Sequence, residues 1–204
     1  TINVTNMFEM FMYCGRTKMQ TLNLGSNFDT RNVTNMGSMF GGTGINQLKS
    51  LDLGDKFDTS KVETMSFMFS DCGREAMETL NLGNKFNTSK VTTMLGMFCR
   101  TGSNKMKSLD LGDLFYTTNV EDMTLMFNST GASAMTSLDL GPAFTKVASG
   151  TINNYAVPSE NIEATHSAYT KMFEGTGKSG CIIHVTESIF QDKNNFKLNT
   201  DATK

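Results

Sequence analysis

Few residues in this chain combine the type and the spacing that chemistry needs. There are two histidines, His166 and His184, and four cysteines. Neither histidine stands in a nucleophile or metal motif, and Cys181 with His184 makes no ligand spacing. The carboxylates offer more. Asp52, Asp55 and Asp58 recur in part as Asp110 and Asp113, a pattern that could ligate calcium. The copy between them carries Asn81, Asn84 and Asn87 instead, and Asp139 is followed by Pro142. Interchange of Asn and Asp points to a shared hydrogen bond with nearby backbone at a turn. Sixteen methionines raise a soft-metal array as the sharper alternative to core filling. The sequence is therefore expected to be non-enzymatic, with no cofactor and no metal.

What must position these residues is a tandem repeat, which is sought before any local reading. Leu-Asp/Asn-Leu begins at Leu22, Leu51, Leu80, Leu109 and Leu138, each 29 residues after the last. Val4, Val33, Val62, Val91 and Val120 keep the same interval, as do Met7, Met36, Met65, Met94 and Met123. Met-Phe recurs at Met10-Phe11, Met39-Phe40, Met68-Phe69, Met97-Phe98 and Met126-Phe127. Glycines at 25, 54, 83, 112 and 141 and phenylalanines at 28, 57, 86, 115 and 144 follow suit. So many shared positions in five copies specify an array.

Composition fits an ordered array and excludes several functions. Hydrophobic residues make up 38% of 204, enough for a core. Eighteen basic and 20 acidic residues leave a net charge of −2, which gives nucleic-acid binding no electrostatic basis. No apolar run reaches the roughly 18 residues of a membrane span, and no signal peptide is visible.

Each copy reads as one strand and one short helix. Met77, Leu80 and Leu82 give L-x-x-L-x-L spacing, with a strand expected within 77–82 and its equivalents, all paired in parallel. Ser60 with Glu63 resembles a capping box. Val62, Met65, Met68 and Phe69 then fall on one helical face, and Cys72-Gly73 supplies a stop. Helices are expected to begin near Val33, Val62, Val91 and Val120. The fold expected is α/β: a right-handed, leucine-rich-repeat-like solenoid, stabilised by contacts between neighbouring coils. The five repeats span 1–144. Residues 145–204 read as a degenerate sixth coil with a 17-residue insertion and a C-terminal cap, the theme returning at Met172-Phe173. Because Thr1 aligns with Thr30, the chain reads as a monomeric part of a larger one.

Leu51-Asp-Leu-Gly-Asp-Lys-Phe-Asp-Thr-Ser60 and Val62-Glu-Thr-Met-Ser-Phe-Met-Phe69 resemble the BspA-like bacterial surface-protein repeat, in a variant with a longer period. The resemblance implies an extracellular, cell-surface or cell-wall setting and a role in adhesion. Its implied partner is a host or microbial surface protein or a glycan. A structural spacer or stalk displaying another domain is the alternative.

Two surfaces compete for such a partner. The slot of Glu9, Ser38, Phe67, Gly96 and Leu125 is the most variable in the array and points away from the expected helix core. Phe67 and Leu125 are apolar there, with Tyr13 on the same side, and an exposed apolar patch invites a partner. Folding of these side chains onto neighbouring coils is the structural alternative. The rival surface is the polar sheet face with Asp52, Asp110 and Asp139. All four cysteines are expected to be free thiols.

Overall fold

In the computed structural model, the residues described are 1–25, 27–145 and 172–184. The Leu-Asp/Asn-Leu text forms a three-residue strand in every coil. These are β1 (Thr21–Asn23), β2 (Ser50–Asp52), β3 (Thr79–Asn81), β4 (Ser108–Asp110) and β5 (Ser137–Asp139). β6 (Ile182–His184) follows in the sixth coil. Pairing is parallel and in the register of the repeat, Leu22 opposite Leu51 and Leu51 opposite Leu80. β4, β5 and β6 pair in the same way, Leu138 opposite Ile183. The result is two three-stranded sheets in sequence order, β1-β2-β3 and β4-β5-β6. A second parallel ladder of single bridges links Asn6, Asn35, Thr64, Thr93 and Asp122.

Among the described residues the five repeats contain no helix, which corrects the expected α/β coil to a parallel β-solenoid. The reason lies in the backbone of the Met-Phe segment. Residues 9, 38, 67, 96 and 125 have φ between 54° and 60°, and residues 13, 42, 71, 100 and 129 repeat that left-handed geometry four positions later. A left-handed residue every four positions breaks an α-helix. The segment instead runs as successive turns. The Met68 amide donates to the Met65 carbonyl, Ser70 to Phe67 and Cys72 to Phe69. The alternate amides leave the coil: Phe67 donates to Leu95, Phe69 to Met97 and Asp71 to Cys99. These turns start at every second residue, and Met65, Met68 and Phe69 are all buried. The apolar spacing of a helix is thus met without one. No capping box forms, since the Ser60 amide donates to Asp58 Oδ1 at 2.9 Å.

Two columns of stacked rings run through the core. Phe11, Phe40, Phe69, Phe98, Phe127 and Phe173 stack with centroids 5.3–5.5 Å apart. In the second column Phe28 stacks on Phe57, and Phe86, Phe115 and Phe144 stack in succession, at 6.2–6.3 Å. Such offset aromatic contacts add to the burial energy of the rings. Phe173 on Phe127 places the Met172-Phe173 text in the core as a sixth coil. The insertion with Pro158, His166 and the C-terminal cap lie outside the described residues.

Buried threonines tie the coils in both directions. Thr30 Oγ1 donates to the Asp58 carbonyl and Thr59 Oγ1 to that of Asn87, one coil on. Thr43, Thr101 and Thr130 donate back to Phe11, Phe69 and Phe98. Each bond satisfies a polar group that burial would otherwise leave exposed to cost. Cys14, Cys72, Cys99 and Cys181 are all free.

Candidate functional site

The outward residues of β1 to β5 form a polar face of Ser/Thr and Asn/Asp columns, which Ile182 and His184 of β6 continue. Asp52, Asp110 and Asp139 are all exposed there. In each case Oδ1 also accepts from the backbone two residues on, at Gly54, Gly112 and Gly141, over 2.8–2.9 Å. Asn23 and Asn81 do the same with Gly25 and Gly83. That bond explains why Asn and Asp interchange in this column, because an amide oxygen and a carboxylate oxygen can each accept it. The second carboxylate oxygen is left to solvent or to a ligand.

Beyond the strand ends the spacing of the coils is uneven. A Cβ built on Gly83 would meet the Gly54 carbonyl oxygen at 2.7 Å, and one on Gly141 the Gly112 oxygen at 2.2 Å. One built on Gly112 or on Gly54 would meet nothing within 4 Å. The coils therefore close in pairs and part between Gly83 and Gly112, where β3 and β4 fall into separate sheets. A groove of about 900 Å³ opens at that point, with Asp55, Asp110, Asp113 and Asp139 in its lining and no Lys or Arg. A smaller one of about 440 Å³ lies between the first two coils, with Asp52, Asp55 and Lys56. Asp55 borders both.

None of these carboxylates takes part in an ion pair among the described residues. Ion pairs form elsewhere, around Asp71 and at Asp29. Asp71 receives two bonds from Arg100, at 2.8 and 2.7 Å, and Arg74 bridges Asp71 to Glu75. The Asp71 carboxylate hydrogen-bonded to Arg100 raises the pKa of that guanidinium. Arg31 holds the Asp29 carboxyl down at about 2, chiefly through their side-chain hydrogen bonds. Among the described residues no three His, Cys, Asp or Glu side chains converge to hold a metal.

On the turn face the predicted residues do not form one patch. Phe67 is 38% exposed, and its ring lies over Gly96 of the next coil. Leu125 is half-buried. Tyr13 is exposed, rests over Gly42 and carries Arg16 above its ring at 5.1 Å. Phe8 covers Gly37 in the same manner. Sequence reasoning missed the part played by the glycines at 37, 42 and 96. Their signal was present, since each follows an aromatic residue by 29 positions.

No helix of the described residues is long and apolar enough to cross a membrane. No curated protein and no solved structure matches the chain. A family model described as "Mycoplasma protein of unknown function, DUF285" matches residues 1–78 and again 45–140, which together cover all five strand-forming repeats. The chain belongs to the DUF285 family.

Proposed function

We propose that this chain is a non-enzymatic binding module, displayed on a bacterial cell surface, that holds a protein partner through its strand face. The observation that carries this reading is the groove between the third and fourth coils. Four carboxylates line it with no Lys or Arg beside them, and none takes part in an ion pair among the described residues. Like charges so placed repel one another, and the turn bonds of Asp110 and Asp139 need an oxygen acceptor but no negative charge. These carboxylates suit a partner that brings Lys or Arg side chains, which would be steered in and then neutralise them. The likeness to BspA-like repeats supports the extracellular setting and adhesion as the purpose. The stacked core supports the same reading, since a rigid scaffold loses little freedom when its surface binds.

A surface-protein and glycan array probed with the chain tests this directly. Proteins that bind should lose at least about tenfold in affinity to the Asp110→Asn/Asp139→Asn chain, and bind less tightly as salt rises. Asn keeps the turn bond, as Asn81 does, so the fold survives and only charge is removed. Unchanged affinity in that variant, with loss in Phe67→Ser/Leu125→Ser, would move the site to the turn face.

A further inference from the structure

The acidic groove lies at the one junction, among the described residues, where neighbouring strands do not pair. Where the chain enters a strand, its amide bonds back to the preceding coil: Lys49 to Gln20, Glu78 to Lys49 and Thr136 to Lys107, over 2.8–3.1 Å. The Lys107 amide makes no such bond to Glu78. Where the chain leaves a strand, Leu53 donates forward to Asn81 and Leu111 to Asp139, whereas Leu82 makes no bond to Asp110. Leu24 also lacks that second bond, but β1 and β2 still pair. Between β3 and β4 both ends of the ladder are undone.

On its turn side the same junction is clamped. Arg100 bonds to Asp71 at 2.8 and 2.7 Å, the one ion pair between coils among the described residues. Ser66 Oγ and Thr93 Oγ1 share a hydrogen bond of 3.0 Å. The turn ladder is unbroken, from the Met65 amide on Thr93 to the Asp71 amide on Cys99. In the core Phe69 and Phe98 stay stacked at 5.4 Å, and Phe86 and Phe115 are tied through Phe69 and Phe98 at 6.4 and 6.3 Å. A foreign strand between the coils would need two strand spacings, about 9.6 Å, which these rings do not leave.

The residue types at the parted strands allow closure. Asn81-Leu-Gly83 stands beside Asp110-Leu-Gly112 here, and the closed second and third coils set Asp52-Leu-Gly54 beside Asn81-Leu-Gly83. Parting exchanges two backbone bonds for bonds with water in an open groove, and such an exchange has a small net cost. Two arrangements of the strand side are therefore close in free energy. We propose that the junction of the third and fourth coils is a hinge. Its lips at Gly83 and Gly112 open and close while the Asp71–Arg100 clamp holds the turn side, and this motion sets the width of the acidic groove. The motion belongs to the free chain and needs no partner.

Relaxation-dispersion NMR on the full chain tests the hinge, because it reads motion in the μs–ms range. Exchange broadening is expected at the amides of Leu82, Gly83, Lys107 and Gly112, with flat profiles at Leu53, Thr136 and Phe69. Amide hydrogen exchange at Leu82 and Lys107 should be at least about 100-fold faster than at their bonded equivalents Leu53 and Thr136. Arg100→Ala removes the clamp at an exposed position and should extend the broadening to Phe69 and Asp71. Flat profiles at the lips, equal broadening or equal hydrogen exchange at every junction, or a quiet turn side in Arg100→Ala would each overturn the proposal.

Discussion

Phe67 and Gly96 are partners across neighbouring coils: a Cβ on Gly96 would come within 2.4 Å of the Phe67 ring. Both residues occupy the same left-handed slot, so each has a backbone geometry that glycine adopts freely and phenylalanine does not. The ring accepts that strain where its neighbour leaves room for it. Gly96→Ala should therefore destabilise by about 1–2 kcal/mol, from φ strain and displacement of the ring. In a Phe67→Ser background the ring's share disappears. A double-mutant cycle followed by chemical denaturation should give a coupling of about 1 kcal/mol; additive effects would mean the two do not touch.

The ring columns predict a gradient of sensitivity. Phe69 is fully buried between Phe40 and Phe98, with Phe86 at 6.4 Å. Phe69→Ala should cost about 3–5 kcal/mol. Phe28→Ala, in the partly covered first coil, should cost clearly less. Equilibrium unfolding of the two variants gives the comparison, and equal losses would contradict a core built on neighbour contacts.

Thr59 both donates to the Asn87 carbonyl, at 2.8 Å, and accepts from the Asn87 amide, at 2.7 Å. Thr59→Val keeps the shape and removes both bonds. It should destabilise by about 1–3 kcal/mol, although the side chain becomes more apolar. A stabilised variant would show that the threonine column acts through packing alone.

Cys72 fills the slot in which Thr43, Thr101 and Thr130 reach back one coil. Cys72→Thr should gain a bond to the Phe40 carbonyl and about 1 kcal/mol. Burial pushes the Cys72 and Cys99 thiols above their ordinary pKa of 9.0. Below that pH both states hold these protons, so stability is unaffected by them. Above it the unfolded chain ionises first, and stability falls as pH rises. Melting curves from pH 8 to 10 should show that fall, and show less of it in Cys72→Thr.

How much of this was legible in the sequence depends on which interaction fixed each feature. The strands at Leu51 and Leu80 and their parallel register followed from a 29-residue period, because identical text must occupy identical places in neighbouring coils. The shared turn bond of Asp52, Asn81 and Asp110 was legible from their interchange. The helix was not correctly read. Val62, Met65, Met68 and Phe69 satisfy a helical face, yet Phe67 and Asp71 are left-handed, and amide bonds between coils replace those within a helix. No local pattern distinguishes the two, since the deciding donors and acceptors lie a whole repeat apart. The acidic groove was hidden for a related reason: Asp55, Asp110, Asp113 and Asp139 come from three coils, and their meeting depends on where the coils part.

The turn ladder is the feature on which the core and the two faces depend. Through-hydrogen-bond scalar couplings in labelled protein read it directly. Couplings from the Phe67 amide to the Leu95 carbonyl and from Phe69 to Met97, with Ser70 to Phe67 within the coil, are the expected result. Couplings from Phe67 to Glu63 and from Phe69 to Met65 would show a helix and contradict the solenoid described here.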